Sequence, residues 1–154
     1  HQPAIAEEAA RLAARADDDA AFPLRLIGMR ELRSENSWMH NAPLLLRGGR
    51  TQLARMHPRD AAAIGLEEGA PVRLTSRHGA IELPVTLTED LKQGVVAVPH
   101  GWGHKGTGTW RRANAAAGDG GVNVNLLTSS DPADLERLAG MAVLNGVPVR
   151  ADVP

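Results

Sequence analysis

Residues 28 to 41 read Gly-Met-Arg-Glu-Leu-Arg-Ser-Glu-Asn-Ser-Trp-Met-His-Asn. This run concentrates side chains suited to a diphosphate. Glycine lets backbone approach a ligand closely, arginine forks onto phosphate oxygens, and serine, asparagine and free backbone N–H groups take the remaining oxygens. The same residues also suit a polar surface loop with Trp38 and Met39 tucked into the core. Spacing alone does not decide between the two.

A second group, His100-Gly101-Trp102-Gly103-His104, offers two imidazoles four positions apart. Two glycines in the spacer argue against a helix that would aim both at one metal, and no third ligand is evident nearby. A turn packed by Trp102 is expected instead. The glycine-rich stretch that follows has no Gly-Lys-Ser or Gly-Lys-Thr ending, so ATP hydrolysis finds no support. Asn123, Asn125 and Asn145 have amides able to donate and accept toward a purine or pterin edge. Ordinary turn chemistry suits them equally, Asn145-Gly146 above all. No nucleophile has an identifiable general base beside it. The chain contains no cysteine, which excludes disulfides, thiolate chemistry, iron–sulfur ligation and cysteine zinc sites within it. Catalysis by the chain alone is not expected.

The elements that must position these residues read as a mostly β domain. Ile5, Ala9, Leu12, Ala16 and Ala20 share one helical stripe over residues 4–20, with Pro3 at its start and Glu7 spaced to pair with Arg11. Asp17, Asp18 and Asp19 sit poorly at the negative end of that helix. Residues 22–28 read as a strand running into the Gly28 loop. His57 to Gly65 has the proline-first, glycine-last pattern of a two-turn helix. Val72 and Leu74, then Ile81, Leu83, Val85 and Leu87, alternate with polar partners on either side of a turn at His78-Gly79, which is a β-hairpin. Pro84 predicts an edge, a bulge or a barrel corner there. Strands at 95–98 and 143–150 complete the set. Between them, residues 100–121 hold seven glycines with Trp102 and Trp110, a long loop of the kind that serves function.

At 154 residues, 43% apolar and 23% charged, the chain has the size and composition of one globular domain. Its longest apolar runs, such as Pro43 to Leu46, are far too short to span a bilayer. A net charge of −1 gives no general pull toward nucleic acid or anionic membrane, so phosphate binding must be local. Of the 17 basic residues only Lys92 and Lys105 are lysine; arginine, the bidentate cation, dominates. His1 in place of Met, with no basic leader before an apolar stretch, suggests a fragment or a processed chain and a cytoplasmic location.

Taken in order, several segments resemble the molybdopterin dinucleotide-binding domain that closes the large subunit of the dimethyl-sulfoxide-reductase family of molybdenum oxidoreductases. They are Leu26-Ile27-Gly28 leading into Arg30 to Asn41, Met56-His57-Pro58 with Asp60, Gly65-Leu66 and Gly69, Pro99 to Gly103, and Val124 to Thr128 with Asp131. The resemblance covers most of the chain. It implies a double-psi β-barrel, with residues 1–21 as a helix or connector remnant and 22–154 as the binding domain. It further implies cofactor contacts from Gly28, Arg30, Arg33, Asn36, Ser37, His40 and Asn41, and from His100, Gly101, Trp102, Asn125 and Asn145. Met29 stands where many relatives carry Arg, and Asn145 where some carry Lys. The cofactor implied is molybdopterin guanine dinucleotide, carrying molybdenum or tungsten in the whole enzyme. An iron–sulfur cluster would lie elsewhere in the parent, and the partners would be the parent's remaining domains. The Asn36 to Asn41 stretch points to a formate-dehydrogenase-like parent.

Two other functions are possible on such a barrel. A self-processing decarboxylase would need a Gly-Ser bond, and the sequence has none. A cofactor-free barrel acting as a protein-recognition module would show an exposed apolar groove and no response to nucleotide.

Overall fold

The computed structural model describes residues 2–15, 20–42, 44–45, 48, 50–103 and 121–154. Helix α1 spans Gln2–Arg15 and helix α2 spans Pro58–Ala63. Six strands, β1 (Leu24–Met29), β2 (Ala54–Met56), β3 (Pro71–Thr75), β4 (Ala80–Leu87), β5 (Val95–Pro99) and β6 (Val147–Asp152), close into a barrel in the order β1-β5-β2-β4-β3-β6. Two of the pairings, β1 with β5 and β2 with β4, are parallel; the others are antiparallel. The fold is a double-psi β-barrel.

Alternation fills its interior. Val72 and Leu74 of β3, Ile81, Leu83 and Val85 of β4, Val96 and Val98 of β5 and Val149 of β6 pack around Leu26 and Met56, all of them buried. Each such side chain contributes on the order of 1.5–3 kcal/mol relative to leaving it exposed. Pro84 sits where β4 changes partner: residues up to 84 pair with β3, and Val85 onward pairs with β2. Its register partner is Pro71, a second residue without an N–H, so neither member of this pair donates to the ladder at the point where β4 changes partner. The barrel-corner expectation therefore describes Pro84.

Some boundaries differ from the sequence expectations. The final strand begins at Val147, not 143, because Gly146 adopts a left-handed φ of 75° and its N–H is bound to the Leu26 carbonyl. Leu144 and Asn145 are freed to line the cavity described below. Arg11 pairs with Glu8 in place of Glu7. Glu8 is on the docked side of α1, where it also accepts the backbone N–H of Arg137, while Arg11 donates to the carbonyl of Leu135 at 2.7 Å. These bonds fasten the helix to the segment before β6. The Arg11 hydrogen bond, helped by the Arg137 N–H and by both guanidinium charges and opposed by burial, lowers the Glu8 carboxyl from 4.5 to about 2. Asp17, Asp18 and Asp19 lie outside the described residues, as do His104, Lys105 and Trp110.

No helix among the described residues is long and apolar enough to cross a membrane.

Candidate functional site

Strands β1 and β5 run parallel and finish together, Met29 opposite Pro99. The loop after each strand therefore starts from the same end of the barrel, and a cavity of about 490 Å³ opens between them. Gly28, Arg30, Asn36 and Ser37 line it from the first loop, and His100, Gly101 and Trp102 from the second. The third wall comes from Asn123, Val124, Asn125 and Thr128, and the fourth from Leu144 and Asn145, and Leu26 completes the lining.

The first loop is built by short-range geometry. Glu35 and Asn36 take left-handed φ values of 41° and 62° and turn the chain back. A 3₁₀ turn then runs from Trp38 to Asn41. Side chains three apart eclipse in such a turn, so Ser37 and His40 share its inner face and Trp38 falls outside. Trp38 is 76% exposed, whereas His40 is buried. The reading of this loop with Trp38 tucked into the core is thus corrected. His40 bonds the Ser34 hydroxyl at 2.9 Å and lies against the Trp102 ring with centroids 4.3 Å apart.

The second loop is pinned to the first. The His100 backbone N–H donates to the Met29 carbonyl, and its ring contacts that carbonyl and the Asn36 amide. Gly101, at φ 86°, is where the loops meet. Trp102 is buried, and its indole N–H donates to Glu31 at 3.1 Å. Glu31 is paired in turn with Arg50 at 3.2 Å, and Arg50 donates to the carbonyls of Arg33 and Leu45. Trp102 is accordingly the floor of the cavity, with little surface left to offer a ligand.

A side-chain bond ties the fourth wall to β1: the Gly28 N–H donates to Asn145 Oδ1 at 2.9 Å. Because that oxygen is used, the Asn145 amide has its NH₂ donors to offer. On the third wall, Asn123 caps the 3₁₀ turn Val124–Leu127 by accepting the Asn125 N–H.

Of the residues singled out in the sequence, the structure brings together Gly28, Arg30, Asn36, Ser37, His100, Gly101, Trp102, Asn125 and Asn145. It does not bring Arg33 or His40 to the cavity wall: the Arg33 carbonyl is bound by Arg50, and His40 stands behind Trp102. Asn41 closes the 3₁₀ turn.

Sequence reasoning missed Gln52, Glu31 and Arg50 as supports. Gln52 is buried; its amide donates to the carbonyls of Pro99 and Val122 and accepts the Val122 N–H at 2.7 Å. It joins the strand end before His100 to the return of the chain at 122. Residue types gave no signal for it: only in the structure do Gln52, Ala54 and Met56 alternate as buried positions with exposed or half-buried Thr51, Leu53 and Arg55.

Charge on the cavity wall is basic: among the described residues, Arg30 is its permanent ion and His100 its only imidazole. No group of three His, Asp or Glu side chains suited to a metal occurs among the described residues. The wall combines a guanidinium, several amides and two glycines. At Gly28 an added Cβ would meet nothing closer than 3.7 Å, which leaves room for a ligand against the backbone. This donor set fits the phosphates and heterocyclic edges of a dinucleotide.

Comparison with known proteins agrees with that chemistry. The family model described as "Molydopterin dinucleotide binding domain" matches residues 24–147. The chain is 28% identical over 148 residues to a tetrathionate reductase subunit of Salmonella typhimurium, covering 85% of this chain and 14% of that protein. It is 33% identical over 138 residues to the molybdopterin-containing ArrA subunit of the arsenate respiratory reductase of Chrysiogenes arsenatis, covering 84% and 16%. Dimethyl sulfoxide reductase DmsA of Escherichia coli is 28% identical over 116 residues, covering 75% and 13%. The chain thus spans roughly a seventh of the length of these relatives. The fold is shared with acetylene hydratase from Pelobacter acetylenicus, with a TM-score of 0.70 and 24% identity over 86% of this chain and 18% of that one.

Proposed function

Because the chain belongs to the molydopterin dinucleotide binding domain family, we propose that its cavity holds the guanine form of the dinucleotide. The observation that carries this reading is convergence: four segments distant in sequence bring Arg30, His100, Asn125 and Asn145 to one cavity. Arg30 would fork onto the diphosphate. Gly28 and Gly101 would allow close backbone approach, and the Asn36, Asn125 and Asn145 amides would bond the remaining oxygens and the ring edges.

The work of these residues is positional. Binding energy spent on the remote tail fixes the reacting end in a neighbouring domain, lowering the entropic part of the barrier there. When bound, the cofactor would supply redox chemistry through molybdenum or tungsten, with the metal's protein ligand and an iron–sulfur cluster in other parts of a parent enzyme. That parent is proposed to be the large chain of an oxidoreductase, and the relatives' names favour a reductase over a formate dehydrogenase. Its further domains would cover the outer face of the first loop, where Leu32 is fully exposed and Trp38 is 76% exposed.

A GDP titration of the isotope-labelled chain, followed by backbone amide shifts, tests the reading. Saturable shifts at residues 28–37, 100–102, 125 and 145 support it; silence there up to millimolar GDP, or shifts only elsewhere, counts against it and favours a protein-recognition barrel.

A further inference from the structure

The His100 ring faces two oxygen atoms. Its Nδ1 lies 2.9 Å from the Met29 carbonyl, a pure acceptor, so Nδ1 must carry the hydrogen. In the neutral ring Nε2 is then also an acceptor. Opposite Nε2, at 2.8 Å, is Oδ1 of Asn36. Two acceptors do not hold that distance without a proton between them. Only two arrangements satisfy the contact: an imidazolium donating from Nε2 to Oδ1, or a neutral ring accepting from an Asn36 amide turned to present its NH₂.

The two amide orientations have nearly the same shape. The Asn36 backbone has no such freedom, because its left-handed φ of 62° and its contact with Gly101 hold it in place. Rotation of the terminal amide is the remaining adjustment. Asn36 lines the cavity, so whichever end does not face His100 is available to a ligand.

We infer that His100 sets the hydrogen-bond sense Asn36 presents, making Asn36 a specificity-determining residue of the cavity. With His100 neutral, Asn36 offers its carbonyl to a ligand N–H, such as the edge of a guanine. With His100 charged, it offers NH₂ to an anionic oxygen. The surrounding groups leave this pair in control. Among the described residues, Arg30 is the other ionic residue on the cavity wall, and Ser37, Asn123, Asn125, Thr128 and Asn145 are uncharged. The nearby Glu31 carboxylate is engaged by Trp102 and Arg50, and Glu35 is exposed. The ligand assignment rests on the cavity reading above; the proton coupling does not.

The test is ring ¹⁵N and side-chain amide NMR of the ligand-free chain over a pH series from ~5 to ~8. The expected neutral form is the Nδ1–H tautomer, and the Asn36 NH₂ signals should move with the same midpoint as the ring. An Nε2–H tautomer at pH ~8, or Asn36 NH₂ signals indifferent to His100, would overturn the inference. In Asn36→Asp, which tolerates a left-handed φ, an acceptor is locked opposite Nε2, and the His100 midpoint should rise by about one unit or more. An unchanged midpoint in a folded variant would also overturn it. Since no ligand is present, a GDP titration can fail while this coupling stands, and the reverse.

Discussion

A Cβ placed on Gly101 would fall 1.6 Å from the carbonyl oxygen of Asn36. The two cavity loops therefore touch backbone to backbone, and no side chain larger than hydrogen fits between them. Gly101→Ala should force the loops apart and strain a φ of 86°, costing about 1–3 kcal/mol of stability. GDP binding should weaken by at least about tenfold, the equivalent of 1.4 kcal/mol. Urea denaturation and a GDP titration check both; wild-type behaviour in the two would mean the contact does not shape the site.

Asn145→Ala removes the acceptor for the Gly28 N–H. The residue is exposed, so stability should fall by no more than about 1 kcal/mol. Hydrogen exchange at Gly28 should accelerate and GDP affinity should drop. Asn145→Asp keeps the acceptor but lacks the NH₂ donors, and should restore slow exchange at Gly28 without restoring affinity. Equal exchange in all three forms would remove the proposed tie between β1 and the fourth wall.

Gln52→Leu keeps the approximate size of a buried side chain but leaves the Val122 N–H and the Pro99 and Val122 carbonyls without it. Unpaired buried backbone groups predict a loss of about 1–3 kcal/mol. The denaturation midpoint should fall, with chemical-shift changes concentrated at residues 99–103 and 121–123. An unchanged midpoint would show that these segments hold together without Gln52.

Glu8 predicts an acid-sensitive helix. Its carboxyl is lowered in the folded chain, so its stabilisation is complete above the unfolded value of 4.5 and declines as pH falls toward about 2. Exchange protection of α1 should fall in that window before the barrel unfolds. Glu8→Gln should flatten this pH response, and a helix equally acid-sensitive in the variant would exclude Glu8 as the cause.

The hairpin was legible because Val72, Leu74, Ile81, Leu83 and Val85 alternate along strands solvated on one side. The parallel pairing of β1 with β5 was not legible from alternation, since it joins Leu26 to Val96 across seventy residues and no local pattern records such a partner. The family resemblance, not the periodicity, supplied the barrel. Within the site, residue type identified Arg30, Asn36 and His100, but side-chain direction was hidden. His40 and Trp38 sit two apart in one polar run, and only the 3₁₀ turn decides that the imidazole goes inward and the indole outward. Gln52 was missed because a single glutamine outside any motif draws notice only once the buried side of the segment leading into β2 is known.

Strand β1 is flanked by β5 on one side and β6 on the other, and β6 also closes against β3. The first of the barrel's strands to be synthesised thus acquires its neighbours late. A ribosome must deliver Val147–Asp152 before the ring can shut, so a nascent chain stalled earlier exposes the edges of both β1 and β3. Assembly depends on contacts distant in sequence, the kind that makes folding slow. For this barrel, the interval between translating its first and last strands is when the chain is most open to mispairing with its neighbours.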